Sequence, residues 1–123
     1  MKKTVLLVDD FENSLFVTSL TLENSGYKTV KTNSADEALK LLKTDLAVDL
    51  IITDYNMPVK NGLQFVKEVK LIAWRSKIPV FILSNEKSEE VKRNALKSGV
   101  TAWINKPFKF ELLVQLIQRT VGN

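Results

Sequence analysis

Three short apolar runs constrain this chain most: Val5-Leu6-Leu7-Val8, Leu50-Ile51-Ile52-Thr53 and Val80-Phe81-Ile82-Leu83. Each is continuous rather than alternating. A strand with one wet face alternates apolar and polar residues, so an unbroken run marks a strand covered on both faces, as in a parallel sheet under helices. Tyr27 to Lys31 and Ala102 to Asn105 are weaker runs that read as flanking strands.

Helical signals lie between the runs. Ser34-Ala35-Asp36-Glu37 has the pattern of a capping box, opening a helix through Leu42 in which Ala35, Ala38, Leu39 and Leu42 keep helical spacing. Gly26 and Gly99 each follow a serine and precede a strand, as helix-terminating glycines do. Pro79 opens the fourth run, where its missing N–H costs least. The last helix, from about Lys109 to Val121, carries Leu113, Leu116 and Ile117 on one face. Ser88 to Ser98 has the least to pack, only Val91, Ala95 and Leu96, and is expected to be the most mobile helix. Trp74 is expected to pack the lower edge of the core after the third helix. A strand-helix unit repeated five times, with right-handed crossovers, predicts a doubly wound α/β domain around a parallel sheet.

At 123 residues the chain fits one domain, expected to span 1–123 with no output domain. No apolar run approaches the ~20 residues of a membrane span. The stretch after Met1-Lys2-Lys3 is cut short by Asp9 and Asp10, too early for a signal peptide. A cytoplasmic protein without membrane insertion is the expectation. No cysteine means no disulfide framework and no thiolate metal site. No histidine excludes a Ser-His-Asp triad, a histidine-ligated zinc and a phosphohistidine carrier, leaving carboxylate and lysine chemistry. The net charge of +4 is spread over scattered lysines without aromatic interleaving, so they read as solvated helix faces and no direct nucleic acid contact is expected.

Asp9 and Asp10 follow the first strand, Asp54 the third, Ser84 the fourth and Lys106 the fifth. In an open α/β sheet the carboxyl ends of the strands form the ligand crevice, so these residues converge. Singly, Asp10 or Ser84 could be a helix cap, Asp54 a turn residue before Pro58 and Lys106 a surface charge. Together, three acids, a hydroxyl and an amine at one sheet edge are not explained as caps. Close carboxylates repel one another, which raised pKa values or a shared cation can relieve. An all-oxygen set with few protein donors suits Mg2+. Asp10 and Asp54 are the expected direct ligands, Asp9 binds directly or through water, and the backbone carbonyl of Asn56 can add another. Such a site lets Asp54 attack a phosphoryl group and become an acyl phosphate, with Mg2+ and Lys106 neutralising the equatorial oxygens and Ser84 donating a hydrogen bond.

The set Asp9-Asp10, Asp54-Tyr55-Asn56-Met57-Pro58, Asn61-Gly62, Ser84 and Lys106-Pro107-Phe108 resembles the receiver domain of bacterial response regulators, over nearly the whole chain. The resemblance implies a flavodoxin-like (βα)5 fold with strand order 2-1-3-4-5 and a cis Lys106-Pro107 bond. It also implies a histidine kinase or phosphotransfer protein as donor, and an output protein partner that the sequence leaves unknown. Asn56 and Glu86 resemble the pair flanking the site of the chemotaxis regulator. In the family the hydroxyl residue at Ser84 moves toward the phosphoryl group and the aromatic at Trp103 turns inward. This changes the face formed by the fourth helix, fifth strand and fifth helix, a bistable packing element biased by local charge. Trp103 can equally be an ordinary half-buried aromatic on an edge strand.

The sequence departs from the family in two places, Trp103 and Asn85. Tryptophan at 103 replaces a commoner tyrosine or phenylalanine, is bulkier, and brings an N–H that needs a partner. Asn85 follows the hydroxyl where a very small residue is usual, and can restrict entry or bond to the phosphoryl group. Glu12 adds negative charge near the mouth. Two other functions compete with the phosphorylation switch: a small Mg2+-dependent phosphatase with Asp54 as nucleophile, and a binding module that is never phosphorylated. For the switch, no catalysis beyond its own phosphorylation and dephosphorylation is expected.

Overall fold

The computed structural model describes residues 2–122, so the first and last residues of the expected 1–123 domain lie outside the described residues. Its elements run β1 (Thr4–Val8), α1 (Glu12–Asn24), β2 (Lys28–Thr32), α2 (Ala35–Leu42), β3 (Leu50–Asp54), α3 (Gly62–Lys70), a 3-10 turn (Ala73–Arg75), β4 (Val80–Ser84), α4 (Glu89–Lys97), β5 (Ala102–Asn105) and α5 (Phe110–Val121). The strands form one parallel sheet in the order β2-β1-β3-β4-β5, as expected.

Every residue of β1, β3 and β4 is buried, which accounts for their unbroken apolar runs. Successive side chains of a strand point to opposite faces. Val5, Leu7, Leu50, Ile52, Phe81 and Leu83 pack under Leu15 and Leu22 of α1 and Leu113 and Ile117 of α5. Leu6, Val8, Ile51, Val80 and Ile82 pack on the other face against Leu42 of α2, Phe65 and Val66 of α3 and Ala95 of α4. Burying one such leucine, isoleucine or phenylalanine contributes roughly 1.5–3 kcal/mol, so the two layers fix which face each strand residue takes.

Local signals close the helices. Ser34 caps α2 by accepting the Glu37 N–H, while the Glu37 side chain reaches one residue further back, to the Asn33 N–H rather than that of Ser34. Asn61 and Gln64 form a reciprocal capping box at α3. For α4 the cap is Ser88, which accepts the Val91 N–H. The alternative of Ser84 as cap is thereby corrected, because the helix starts later. Asp10 does not cap α1 either: Phe11 occupies that position without a side-chain bond, and Asp9 Oδ1 accepts the Phe11 N–H.

Trp74 corrects a second expectation. It does not pack the core edge but stands 65% exposed, while its neighbour Arg75 is 6% exposed. The physical reason is hydrogen-bonding capacity. The Arg75 guanidinium donates to the carbonyls of Leu42 (3.0 Å), Thr44 (2.8 Å) and Leu46 (2.6 Å), closing the end of α2 and the loop before β3. An indole, with its single N–H, cannot satisfy three carbonyls. Replacing Arg75 with methionine keeps much of the apolar stem but removes all three donors. Arg75→Met is expected to lower unfolding free energy by about 2–4 kcal/mol, read as a lower urea midpoint at unchanged slope.

Candidate functional site

The site lies where the ladders run past the strands. Asp9 N–H donates to the Thr32 carbonyl (3.1 Å), Tyr55 N–H to Leu83 (2.9 Å) and Lys106 N–H to Ser84 (2.8 Å), so the carboxyl ends of β1, β3 and β5 are held in register. Three expected residues meet here: carboxylate oxygens of Asp9, Asp10 and Asp54 lie within 4.8 Å of one another. Asp54 is 8% exposed at the end of β3, Asp9 is half-buried and Asp10 is exposed. Lys106 Nζ reaches Asp54 Oδ1 at 2.5 Å, across 52 residues of sequence. Its peptide bond to Pro107 is cis, as the resemblance implied.

Three carboxylates against one ammonium leave two excess negative charges at this edge. Asp9 responds to its burial and, less strongly, to this excess. Burial is the main cause that raises its pKa above the ordinary aspartate value, and Asp54 and Asp10 add to it. The Phe11 N–H and Lys106 act in the opposite direction. A pocket of hard oxygen donors with an uncompensated double negative charge fits a divalent cation such as Mg2+.

The loop from Tyr55 to Asn61 completes the rim. Gly62 begins α3 so close to β3 that an added Cβ would meet the Asp54 carbonyl oxygen at 2.7 Å and the Tyr55 Cα at 3.0 Å. Its N–H donates to the Tyr55 carbonyl at 2.7 Å. Glycine at this position is thus what lets α3 abut the backbone of Asp54, a role its place in a motif did not reveal. Asn56, whose carbonyl was the fourth expected ligand, is exposed in this loop. Val59 takes a positive φ of 69°, rare for a β-branched residue. Next to it, Lys60 bridges Asp36 of α2 (2.8 Å) and Glu68 of α3 (2.9 Å) and anchors the loop, so this lysine is not simply a solvated charge.

Ser84 is fully buried at the end of β4, and its Oγ accepts the Glu86 N–H at 2.8 Å. Trp103 is buried rather than half-exposed: it is 9% accessible and packs into the layer beneath α3 and α4. Its ring lies 5.4 Å from that of Tyr55, the residue after Asp54. The indole N–H finds its partner in Asn105 Oδ1 at 3.0 Å. Sequence reasoning missed that acceptor, although residues 103 and 105 share one side of β5.

The family model of the response regulator receiver domain matches residues 5–118. The chain belongs to the response regulator receiver family. It is 35% identical over 117 residues to the two-component response regulator ORR3 of rice, covering 95% of this chain and 89% of the relative. It is 32% identical over 119 residues to the chemotaxis protein CheY1 of Helicobacter pylori, covering 96% of each. The crystallized chemotaxis protein CheY4 of Vibrio cholerae superposes with a TM-score of 0.91 at 35% identity, covering 98% of this chain and 99% of that one. This receiver therefore carries its acid cluster on a fold shared with chemotaxis and two-component regulators.

Two outcomes follow from the geometry. Because folding raises the Asp9 pKa, the folded receiver binds that proton more tightly than the unfolded chain. Its carboxyl therefore lowers stability once ionised and does so less as pH falls toward the ordinary aspartate range. Asp9→Asn is expected to raise the metal-free melting temperature by a few degrees near neutral pH, and the gain should shrink on acidification; calorimetry at several pH values measures it. Gly62→Ala is expected to cost about 1–3 kcal/mol by forcing α3 off the Asp54 backbone, seen in chemical denaturation.

Proposed function

We propose that this receiver is a phosphorylation-controlled switch, with Asp54 as phosphoryl acceptor. The observation that carries the reading is the 2.5 Å approach of Lys106 Nζ to Asp54 Oδ1 beside two further aspartates. The donor is a histidine kinase or a phosphotransfer protein. An Asp54 carboxylate oxygen attacks phosphorus, the N–P bond breaks, and the imidazole leaves with the bonding pair, neutral when its other nitrogen carries a proton.

Asp9, Asp10, Asp54 and the Asn56 carbonyl would hold Mg2+. When bound, the ion neutralises phosphoryl oxygens that the acid cluster alone would repel. Lys106 exchanges its contact with the ground-state carboxylate for the phosphoryl oxygens, as a mobile point charge can. The buried Ser84 oxygen accepts from Glu86, which leaves its O–H to donate to a phosphoryl oxygen.

Output is altered protein binding in trans, through the face of α4, β5 and α5. Trp103 of β5 supports this reading, since it packs beside Tyr55 and shares a buried layer with Ala95 of α4. A Ser84 shift would be felt by that packing, since Ser84 pairs with Asn105 in the β4–β5 register. Among the described residues no helix is long and apolar enough to cross a membrane, in keeping with a cytoplasmic signalling role.

Incubation with Mg2+ and a small phosphodonor, followed by intact-mass measurement, tests the assignment. The wild-type chain should gain one phosphoryl group and Asp54→Asn none, with chelation of the metal slowing the reaction at least tenfold. An adduct that persists in Asp54→Asn would place the acceptor elsewhere.

A further inference from the structure

Charge is divided between the two edges of the sheet. Each helix runs back over the parallel strands, so its first turn lies at their carboxyl edge and its last turn at their amino edge. The first turns of α1, α2, α4 and α5 carry Glu12, Asp36, Glu37, Glu89, Glu90 and Glu111, on the side of the aspartate cluster. The last turns of α2, α3, α4 and α5 carry bases instead. Complementing the helix dipoles accounts for that much.

It does not account for what the amino edge adds after α3. Leu71 and Trp74, three residues apart, are 84% and 65% exposed. Trp74 and the exposed Lys43 line one open cavity there. Lys70 Nζ donates to the Ser76 carbonyl at 2.9 Å, between Trp74 and the exposed Lys77. The same lysine's Cε would stand 3.0 Å from a Cβ added at Gly99, two residues past Lys97. Four lysines, at 43, 70, 77 and 97, thus stand at the end of the sheet where two apolar side chains protrude. Among the described residues none of the four is in an ion pair. Of the two acids in the cavity, Asp45 and Asp49, the second already accepts the Thr4 N–H at 2.8 Å. Uncompensated ammonium groups beside an exposed tryptophan and leucine fit a surface that is anionic outside and apolar just beneath, which is a lipid interface. A nucleic acid would use the charges and the indole but has no counterpart for Leu71.

We propose that the amino edge is a docking surface for anionic lipid membranes, with Trp74 and Leu71 entering the headgroup layer and the four lysines meeting lipid phosphates. The opposite edge, with Asp9, Asp10 and Asp54, then faces away from the lipid, since its acids are repelled by like charge. Attachment of this kind is peripheral and reversible, because two apolar side chains and a few charges fall far short of a spanning helix. It does not depend on Asp54 being a phosphoryl acceptor.

Cosedimentation of the full chain with vesicles at low ionic strength tests the surface. The protein should bind vesicles of phosphatidylglycerol mixed equally with phosphatidylcholine and leave pure phosphatidylcholine vesicles unbound. Lys43→Gln or Lys77→Gln, each at an exposed side chain, should lower the partition coefficient about 3- to 5-fold, and the two together about 10- to 25-fold. Trp74→Ala should lower it at least about 5-fold. On binding, tryptophan emission should move to shorter wavelength in the wild type and stay fixed in Trp74→Phe, because Trp103 is already buried. A shift that persists in Trp74→Phe overturns the proposal, as does sedimentation no greater with anionic than with zwitterionic vesicles. Binding indifferent to Trp74→Ala also overturns it, being then only the diffuse attraction of a chain of net charge +4. Tighter, Trp74-dependent binding to an oligothymidylate in the same buffer would assign the edge to single-stranded nucleic acid instead.

Discussion

Burial of both faces of β1, β3 and β4 is the constraint on which the rest of this receiver depends. Helices must cover both sides of the sheet, and parallel strands can be joined only by crossovers that return over it. Every strand then points its carboxyl end to the same edge. The acids after β1, at the end of β3 and the lysine after β5 meet because the packing leaves their backbones no other place, although the Asp54 and Lys106 partners are 52 residues apart. Register does the fine positioning. Val8 sits opposite Thr53, and Asp54 opposite Leu83, so a one-residue slip would exchange the residues of the two buried layers and scatter the acids.

That edge is electrostatically unbalanced, and the imbalance is the property the proposed phosphoryl switch would use. Asp9 has a pKa raised first by burial and further by Asp54 and Asp10, which the Phe11 N–H and Lys106 offset only in part. The fold tolerates this because stability is supplied elsewhere, by two apolar layers and by loop clamps such as Arg75. The nearby β3–α3 loop carries its own strain at Val59 and is anchored by the Lys60 ion pairs and the Asn61 capping box. Gly62 permits the close approach that joins the loop to the strand of Asp54.

Trp103 ties β5 to this edge. Its ring packs beside Tyr55, and its N–H orients Asn105. The bulk and the extra N–H that distinguish tryptophan from the family's commoner aromatics are thus both accommodated, one by the layer under α4 and the other by a neighbour on the same strand.

Strand type, sheet class and the acids and lysine that meet at the sheet edge were legible in the sequence because each is written in local pattern: unbroken apolar runs, a capping serine, helix-ending glycines, and polar residues placed just where strands stop. Strand order and the cis bond at Pro107 came from the resemblance, since no local pattern carries them. Other features depended on contacts between distant segments. That Arg75 is buried and Trp74 exposed turned on three carbonyls near the end of α2, which nothing beside residue 75 announces. Likewise the closeness of Gly62 to Asp54 and the Lys60 bridge between two helices exist only once the chain is packed. The sequence by itself determined which groups are available and at which end of which strand they stand. Tertiary structure decided which of them touch, because hydrogen bonds and charge pairs are set by distances of a few ångströms that sequence spacing does not encode.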